Sequence, residues 1–158
     1  MVIQRLQTLY LLLMAIVLLA FSFLSSVNVT ADNITYLFNV LGLTIKYNAD
    51  VELLNGIISY LAPVLFAVTI ACVVTTIFKY KNLKAQMRWC VWSGILTVIS
   101  TAVHAAVLQK AITQLENVTS ISYQWTWALP VVALVLCVMA YCGMNSDRKL
   151  LRSYDRLR

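Results

Sequence analysis

The sequence predicts an all-α membrane protein: a four-helix transmembrane bundle with a short β-hairpin in its first outer loop and a basic amphipathic C-terminal tail helix. Two observations predict this fold. Of the 158 residues, 61% are hydrophobic and only 11% are charged, and the mean hydropathy is +0.83. A soluble domain has about a quarter of its residues charged. The few charges are also clustered, so that long apolar runs separate them.

Four apolar runs are long enough to cross a membrane. A helix of about 20 residues spans the hydrocarbon, so an uncharged run of about 18 or more is a candidate. The predicted spans cover about residues 6–24, 53–78, 89–109 and 123–144, within one membrane domain that takes up the chain. A cytoplasmic tail, 145–158, follows the last span. The segments between the spans are too short to bury a core of their own.

The first run also has features of a signal peptide. It follows the basic residue Arg5, and Val29-Thr30-Ala31 before Asp32 has the small-residue pattern of a cleavage site. Its apolar part is longer than the about 7–15 residues of a signal peptide. We therefore expect a retained first span.

The distribution of basic residues predicts the orientation. Lys and Arg in short loops stay in the cytoplasm. With four spans, ten of the twelve basic residues fall on one face, and only Lys46 and Lys110 fall on the other. Both termini are therefore expected in the cytoplasm. The net charge of +6 follows from this topology and requires no nucleic acid partner.

The C-terminal tail has an amphipathic pattern. On a helical wheel its leucines and Tyr154 share one face and its basic residues the other, which is typical of a helix lying on an anionic leaflet. Gly143 to Asp147 is expected to end span four, with Ser146 or Asp147 as the N-cap of the tail helix. A solvated, frayed terminus and a docking site for a membrane-protein partner remain as alternatives. The candidate lipid-surface or partner residues are Arg148, Lys149, Arg152, Ser153, Asp155, Arg156, Leu157 and Arg158.

The first outer loop has strand-forming composition. Residues 33–49 are rich in Thr, Tyr, Ile and Val around Leu41-Gly42, which predicts a short β-hairpin. Residues 120–125 would add a third strand. Because a two-stranded ribbon alone is marginal in water, the hairpin is expected to lie against the helix ends.

The chain has a single histidine, His104, and it lies in span three among small hydroxyl residues on one stripe of the helix. An ionisable residue within a membrane is a candidate functional site. Small hydroxyl residues are also the usual packing seam between membrane helices, in which case a neutral His104 would bond a neighbouring hydroxyl or amide. The candidate intramembrane polar site comprises Ser93, Thr97, Ser100, Thr101 and His104, with Asn55 and Ser59 of span two as the expected partners.

The remaining residues give no sign of catalysis. The four cysteines lie within the spans without a CxxC pair, so they are expected to be buried small residues. The spans contain one histidine and no carboxylate at membrane depth, which supplies too few ligands for a zinc or haem site. We therefore expect no catalytic residue, no metal and no cofactor.

The two ends of the chain resemble a known family. The opening "IQRLQTLYLLL" and the closing "LLRSYDRLR" resemble a family of small four-span proteins, mostly from Bacteroidetes, that is catalogued only as a domain of unknown function. The resemblance implies a bacterial inner membrane and brings no activity. It also draws attention to the Ser-x-Asp-Arg-Leu-Arg order at residues 153–158 and favours partner docking by the tail.

Two functional hypotheses follow. The first is an uncharacterised inner-membrane protein that acts as a non-catalytic accessory, assembly or interaction subunit of a membrane complex, or as a homo-oligomer. The alternative is a small oligomeric transporter or channel that uses the polar stripe of span three. A membrane enzyme comes third.

The predicted topology can be tested by cysteine labelling. Lys81→Cys and Arg156→Cys should react with a membrane-impermeant maleimide only after the cell is broken, whereas Lys46→Cys should react in intact spheroplasts, since the positive-inside rule places these positions on opposite faces. The background lacks the native thiols, Cys72, Cys90, Cys137 and Cys142. Labelling of Lys81→Cys and Arg156→Cys from opposite sides would refute the four-span topology.

Overall fold

A computed structural model describes residues 2–31, 34–46, 57–80, 82–115 and 118–156 of the chain. These residues form four α-helices, four β-strands and a short 3₁₀ helix. In chain order they are α1 (Val2–Phe23), β1 (Val27–Ala31), β2 (Ile34–Asn39), β3 (Gly42–Lys46), α2 (Ile57–Phe78), α3 (Leu83–Gln114), β4 (Val118–Tyr123), the 3₁₀ helix Trp125–Trp127 and α4 (Ala128–Arg156).

The four helices form a bundle, and each is long and apolar enough to cross a membrane. α1 packs against α2 and α4, and α3 packs against the same two helices, so consecutive helices are neighbours. α2 and α3 are joined at one end of the bundle by a turn in which the Asn82 N–H donates to the Lys79 carbonyl, 3.1 Å away. The strands occupy the connections at the opposite end.

The helices bury residues at alternating spacings of three and four positions. This is the seven-residue repeat of helices that pack nearly antiparallel, at a crossing angle of about 20°. The fully or mostly buried residues include Leu11, Met14, Leu18 and Phe21 in α1, and Ala133, Cys137, Ala140 and Met144 in α4.

The strands form one antiparallel sheet in the order β3-β2-β1-β4. The central strand β1 was not predicted, since it follows the first span directly. Val27, Val29 and Ala31 of β1 are buried in alternation and pack with Leu108 and Ala111 near the end of α3. The sheet therefore covers one end of the bundle, where the helix ends give it the support that a hairpin lacks in water.

The predicted hairpin corresponds to β2 and β3. Asn39 pairs with Gly42, so the two-residue turn is Val40-Leu41, one position before the predicted one. Gly42 has a φ of +144°, which side chains rarely tolerate. The predicted third strand in residues 120–125 is β4, but it pairs with β1 and not with the hairpin.

The helix limits differ from the predicted spans by five residues or more at both ends of α3 and of α4. α3 begins at Leu83, so most of the basic segment between spans two and three is helical. α4 begins at Ala128, because residues 118–123 are a strand. Pro130 therefore lies in the first turn of α4, where a backbone N–H would have no acceptor within the helix. Pro63, in contrast, lies inside α2.

The predicted helix break at residues 143–147 is wrong, because α4 continues through it to Arg156. Gly143 allows α1 to approach: a Cβ added to it would lie 3.0 Å from Cγ of Gln7. The Gln7 side-chain amide donates a hydrogen bond to the Asp147 carboxylate one turn later. The glycine thus serves helix packing, and the tail is an extension of α4.

Replacing a core leucine of α1 should destabilise the bundle. Leu18 is fully buried and its neighbour Leu19 is 43% exposed. We expect Leu18→Ala to lower the free energy of unfolding by about 2–5 kcal/mol, because it leaves a cavity, and the control Leu19→Ala to lower it by less than about 1 kcal/mol. Unfolding with SDS in mixed micelles measures both. Equal losses would contradict the packing repeat.

Candidate functional site

The polar stripe of α3 lies inside the bundle. Ser93, Thr97 and Ser100 are fully buried, His104 is 3% exposed, and Thr101 is half-buried at the side of the stripe. The structure thus places these five predicted residues on one face of α3, turned toward the other helices.

Hydroxyl groups of the stripe donate to the backbone of their own helix. Ser93 Oγ donates to the Cys90 carbonyl at 2.8 Å, Thr97 Oγ1 to the Ser93 carbonyl at 2.8 Å, and Ser100 Oγ to the Thr97 carbonyl at 3.0 Å. Thr101 also donates to the Thr97 carbonyl, at 2.7 Å. Such local bonds satisfy a hydroxyl without a partner on another helix. The stripe is therefore a close-packed seam and not a row of open donors.

α2 presents the same kind of seam. Its buried Thr69 and Thr76 donate to the carbonyls of Leu65 and Cys72, each at 2.7 Å. Small hydroxyl side chains let helix backbones approach closely without leaving a polar group unpaired. The neighbouring helices α2 and α3 thus both bury hydroxyls that are bonded to their own backbone.

His104 connects the bundle to the sheet. Its Nε2 lies 3.0 Å from Oγ of Ser26, which follows α1. Ser26 Oγ also donates to the Phe38 carbonyl at 2.9 Å. A hydroxyl has one proton, so Ser26 Oγ accepts from His104 Nε2–H. The bonding network thereby fixes the tautomer of the imidazole, with the proton on Nε2.

Ser26 uses all its polar groups in long-range contacts. Its N–H donates to the Phe38 carbonyl at 2.6 Å, and its own carbonyl accepts from the Gln124 N–H at 3.1 Å. The same carbonyl accepts from Nε1 of Trp127 at 3.0 Å. Ser26 therefore joins the end of α1, the strand β2, the segment before α4 and, through His104, the helix α3.

Aromatic rings surround His104. Trp127 stacks on the imidazole with ring centroids 5.8 Å apart. Phe21 and Phe66 meet it edge-on, at 5.7 Å and 6.3 Å. Such pairs contribute beyond the area they bury. They also keep water and solutes from the ring, so the arrangement suits a structural junction better than proton transfer or ligand binding.

Asn55 and Ser59 of span two are the expected partners of His104. Asn55 lies outside the described residues, and Ser59 lies in the first turn of α2 with its side chain outside the described part. Over the described ranges, no group of three or more His, Cys, Asp or Glu side chains has the arrangement of a metal site.

The tail residues of the candidate partner surface are described only in part. Arg148 is half-buried beside α3, and Lys149 is exposed. Arg152, Ser153, Asp155 and Arg156 lie on the last turns of α4, and their side chains lie outside the described part; Leu157 and Arg158 lie wholly outside it.

The N-cap predicted at the start of the tail is absent. Ser146 Oγ donates to the Cys142 carbonyl at 3.1 Å, inside the continuous helix. Asp147 accepts from Gln7 of α1. Both residues therefore lie within α4, and neither is the N-cap of a separate tail helix.

The cysteines divide into two kinds. Cys90 and Cys137 are buried where α3 meets α4, with their Sγ atoms 3.7 Å apart. Each thiol also lies near the other residue's carbonyl, at 3.6 Å and 3.4 Å. Cys142 is exposed, so the expectation that every cysteine is buried is wrong at that position.

The whole chain matches a known family by sequence. Residues 3–157 match the profile of a family described as "Domain of unknown function (DUF4293)". The chain belongs to the DUF4293 family. No curated protein matches it. The family description assigns no activity, so function has to be argued from the residues themselves.

For the central residue, Ser26, the sequence pattern carries only a faint signal. It lies between an apolar run and the alternating segment Val27–Ala31, which is a strand pattern. Buried Gln7 and Gln86 gave no signal in the sequence beyond being polar residues next to apolar runs.

Removing the Ser26 hydroxyl should weaken the junction. Ser26→Ala leaves the Nε2–H of His104 buried without an acceptor, and we expect a loss of about 1–3 kcal/mol in the free energy of unfolding. The matched control is Ser22→Ala, because Ser22 Oγ is equally buried but donates only to the Leu18 carbonyl. That change should cost about 0.5 kcal/mol.

A second readout separates the junction from general destabilisation. Since Trp127 stacks on His104 and bonds Ser26, Ser26→Ala should change the near-UV circular dichroism of the folded protein, and Ser22→Ala should not. Identical spectra and equal stabilities for the two variants would rule out the central role of Ser26.

Proposed function

We propose that this DUF4293 protein is an integral protein of a bacterial inner membrane, with both termini in the cytoplasm, and that it acts as a non-catalytic accessory, assembly or interaction subunit of a membrane complex. One observation carries the proposal. The polar side chains of the α3 stripe are buried and satisfied inside the bundle, while the outer surface of the helices is apolar.

The apolar exterior supports the membrane placement. Large apolar residues are exposed along every helix, among them Leu12, Val68, Val98, Val135 and Val138. In water, a contiguous apolar surface of this extent would promote association. In hydrocarbon it is the surface that a spanning helix needs, and the α-helices satisfy their own backbone groups there.

The two ends of the bundle differ in a way that supports the orientation. The sheet covers one end, and Lys84, Arg88 and Arg148 line a cavity near the other. Basic residues favour the cytoplasmic face. This orientation puts the sheet on the outer face of the membrane.

The sheet offers a surface for a partner protein. Among the described strands, β4 pairs with β1 alone and is an edge strand, and its side chains from 119 to 123 are exposed. Tyr123 and Trp125, beside this edge, are 69% and 70% exposed. An edge strand accepts a strand of another protein through backbone hydrogen bonds. We therefore place the partner contact at β4.

The transporter alternative has less support. A channel formed by several copies around the α3 stripe needs polar groups on the outside of each bundle, whereas Ser93, Thr97 and Ser100 are fully buried. A flux assay in liposomes with Thr97→Val and His104→Ala tests it directly. Flux in the parent protein that these changes abolish would favour the alternative.

Photo-crosslinking in native membranes tests the interaction role. Benzoylphenylalanine at Ile121, on β4, should give a crosslinked protein adduct, because its side chain is exposed at the sheet edge. The matched control is benzoylphenylalanine at Val135, on the apolar exterior of α4, which should give lipid adducts only.

Purification in mild detergent is the second test of the interaction role. The protein extracted in mild detergent, with and without residues 151–158, should elute with a partner or as an oligomer. A monomer in both forms, together with no protein adduct at Ile121, would refute the interaction role.

A further inference from the structure

α3 and α4 enclose an open cavity of about 540 Å³ at the end of the bundle away from the sheet. Three basic residues line it: Lys84 and Arg88 from the first turns of α3, and Arg148 from α4. Trp92 and Tyr141 complete the polar part of the wall, and no acidic side chain is among the lining residues. The cavity is therefore strongly cationic and rimmed by aromatic rings.

One of the three basic residues of this cavity, Arg148, has an unmet hydrogen-bonding requirement. Nε of Arg148 is buried and has no hydrogen-bond partner within the described residues. A buried donor without a partner is costly, more so when it belongs to a charged group. Anionic oxygens in the cavity would supply short charge-assisted bonds, for which guanidinium groups have the matching geometry.

An apolar groove of about 350 Å³ continues from the cavity along the same two helices. It shares Val91, Ile95 and Tyr141 with the cavity and runs past Gly94 as far as Val98. Gly94 carries no side chain that would fill it. From Lys84 to Val98 the helix rises about 21 Å, so the cavity and groove together extend from the headgroup level well into the hydrocarbon.

We propose that the cavity and the groove together bind one anionic phospholipid from the cytoplasmic leaflet. The phosphate lies among Lys84, Arg88 and Arg148, and one acyl chain lies in the groove over Gly94. Trp92 and Tyr141 lie at the boundary between them, where amphipathic rings are favoured. The inference rests on the membrane placement proposed above, which the cysteine labelling tests separately.

The combination of features identifies a lipid over other anions. A free phosphate would use the three cations and leave the groove empty. A lipid without a phosphate would use the groove and leave the three basic residues of the cavity without an anionic partner. Only a ligand with an anionic head and an apolar chain matches both halves of the site.

Native mass spectrometry of the full chain in mild detergent tests the headgroup half. Phosphatidylglycerol should bind about tenfold more tightly than phosphatidylcholine, because both lipids carry a phosphate but the three basic residues of the cavity would repel the choline ammonium. Lys84→Gln should weaken phosphatidylglycerol binding about tenfold. The matched control is Lys149→Gln, which removes the same charge from an exposed position that does not line the cavity and should leave binding unchanged.

The groove half is tested by filling it. Val98→Trp should weaken phosphatidylglycerol binding, whereas Val135→Trp, on a part of the exterior outside the groove, should not. Inorganic phosphate at millimolar concentration should fail to displace the lipid.

Three results would each overturn the proposal. These are equal binding of the two lipids, equal losses for Lys84→Gln and Lys149→Gln, and displacement of the lipid by inorganic phosphate, which would make the cavity a site for a free anion. Failure of these binding tests while cysteine labelling still places both termini in the cytoplasm would reject the lipid site and leave the membrane placement intact.

Discussion

The bonds made by Ser26 hold the sheet and the segment before α4 to the helices. A polar group buried among apolar side chains destabilises the fold unless it is hydrogen-bonded. Ser26 is fully buried, yet its N–H, hydroxyl and carbonyl all have partners, in β2, in α3 and in the segment before α4. These contacts set where the sheet sits on the bundle and which nitrogen of His104 carries the proton. The histidine that first suggests chemistry is thereby explained as part of a structural junction.

The rest of the bundle depends on small residues that allow close approach. Buried hydroxyls bonded to their own backbone occur in both α2 and α3, and Gly143 admits the side chain of Gln7 between α1 and α4. In the membrane placement proposed above, helices gain little from burying apolar surface, so close packing and satisfied polar groups hold them together. Because polar side chains of the helices are buried inside the bundle, its exterior is apolar. Polar function is then restricted to the ends: an exposed strand edge at one and a cationic cavity at the other.

Some elements follow from local composition. The four long helices are evident from the apolar runs, and the hairpin from the strand-forming residues around Gly42, because hydropathy and turn geometry act over a few residues. The same local reasoning failed at 143–147. A Gly-Met-Asn-Ser-Asp segment has the composition of a helix end, but contacts with Gln7 on a helix about 140 positions away in sequence keep α4 continuous. The strand β1 was missed for a related reason, since its partners β2 and β4 flank it only in the folded chain.

The sequence by itself determined that the chain forms four apolar helices, where they lie to within several residues, and which ends carry the positive charge. Hydropathy and charge clustering each depend on residues that are neighbours in the sequence. Tertiary structure decided which face of α3 is buried, that His104 bonds Ser26, and that Lys84 and Arg148 line one cavity. The last two of these bring together residues that lie more than sixty positions apart in sequence. Hydrogen bonds and close packing act only over a few ångströms, so no local pattern encodes them until the helices have assembled.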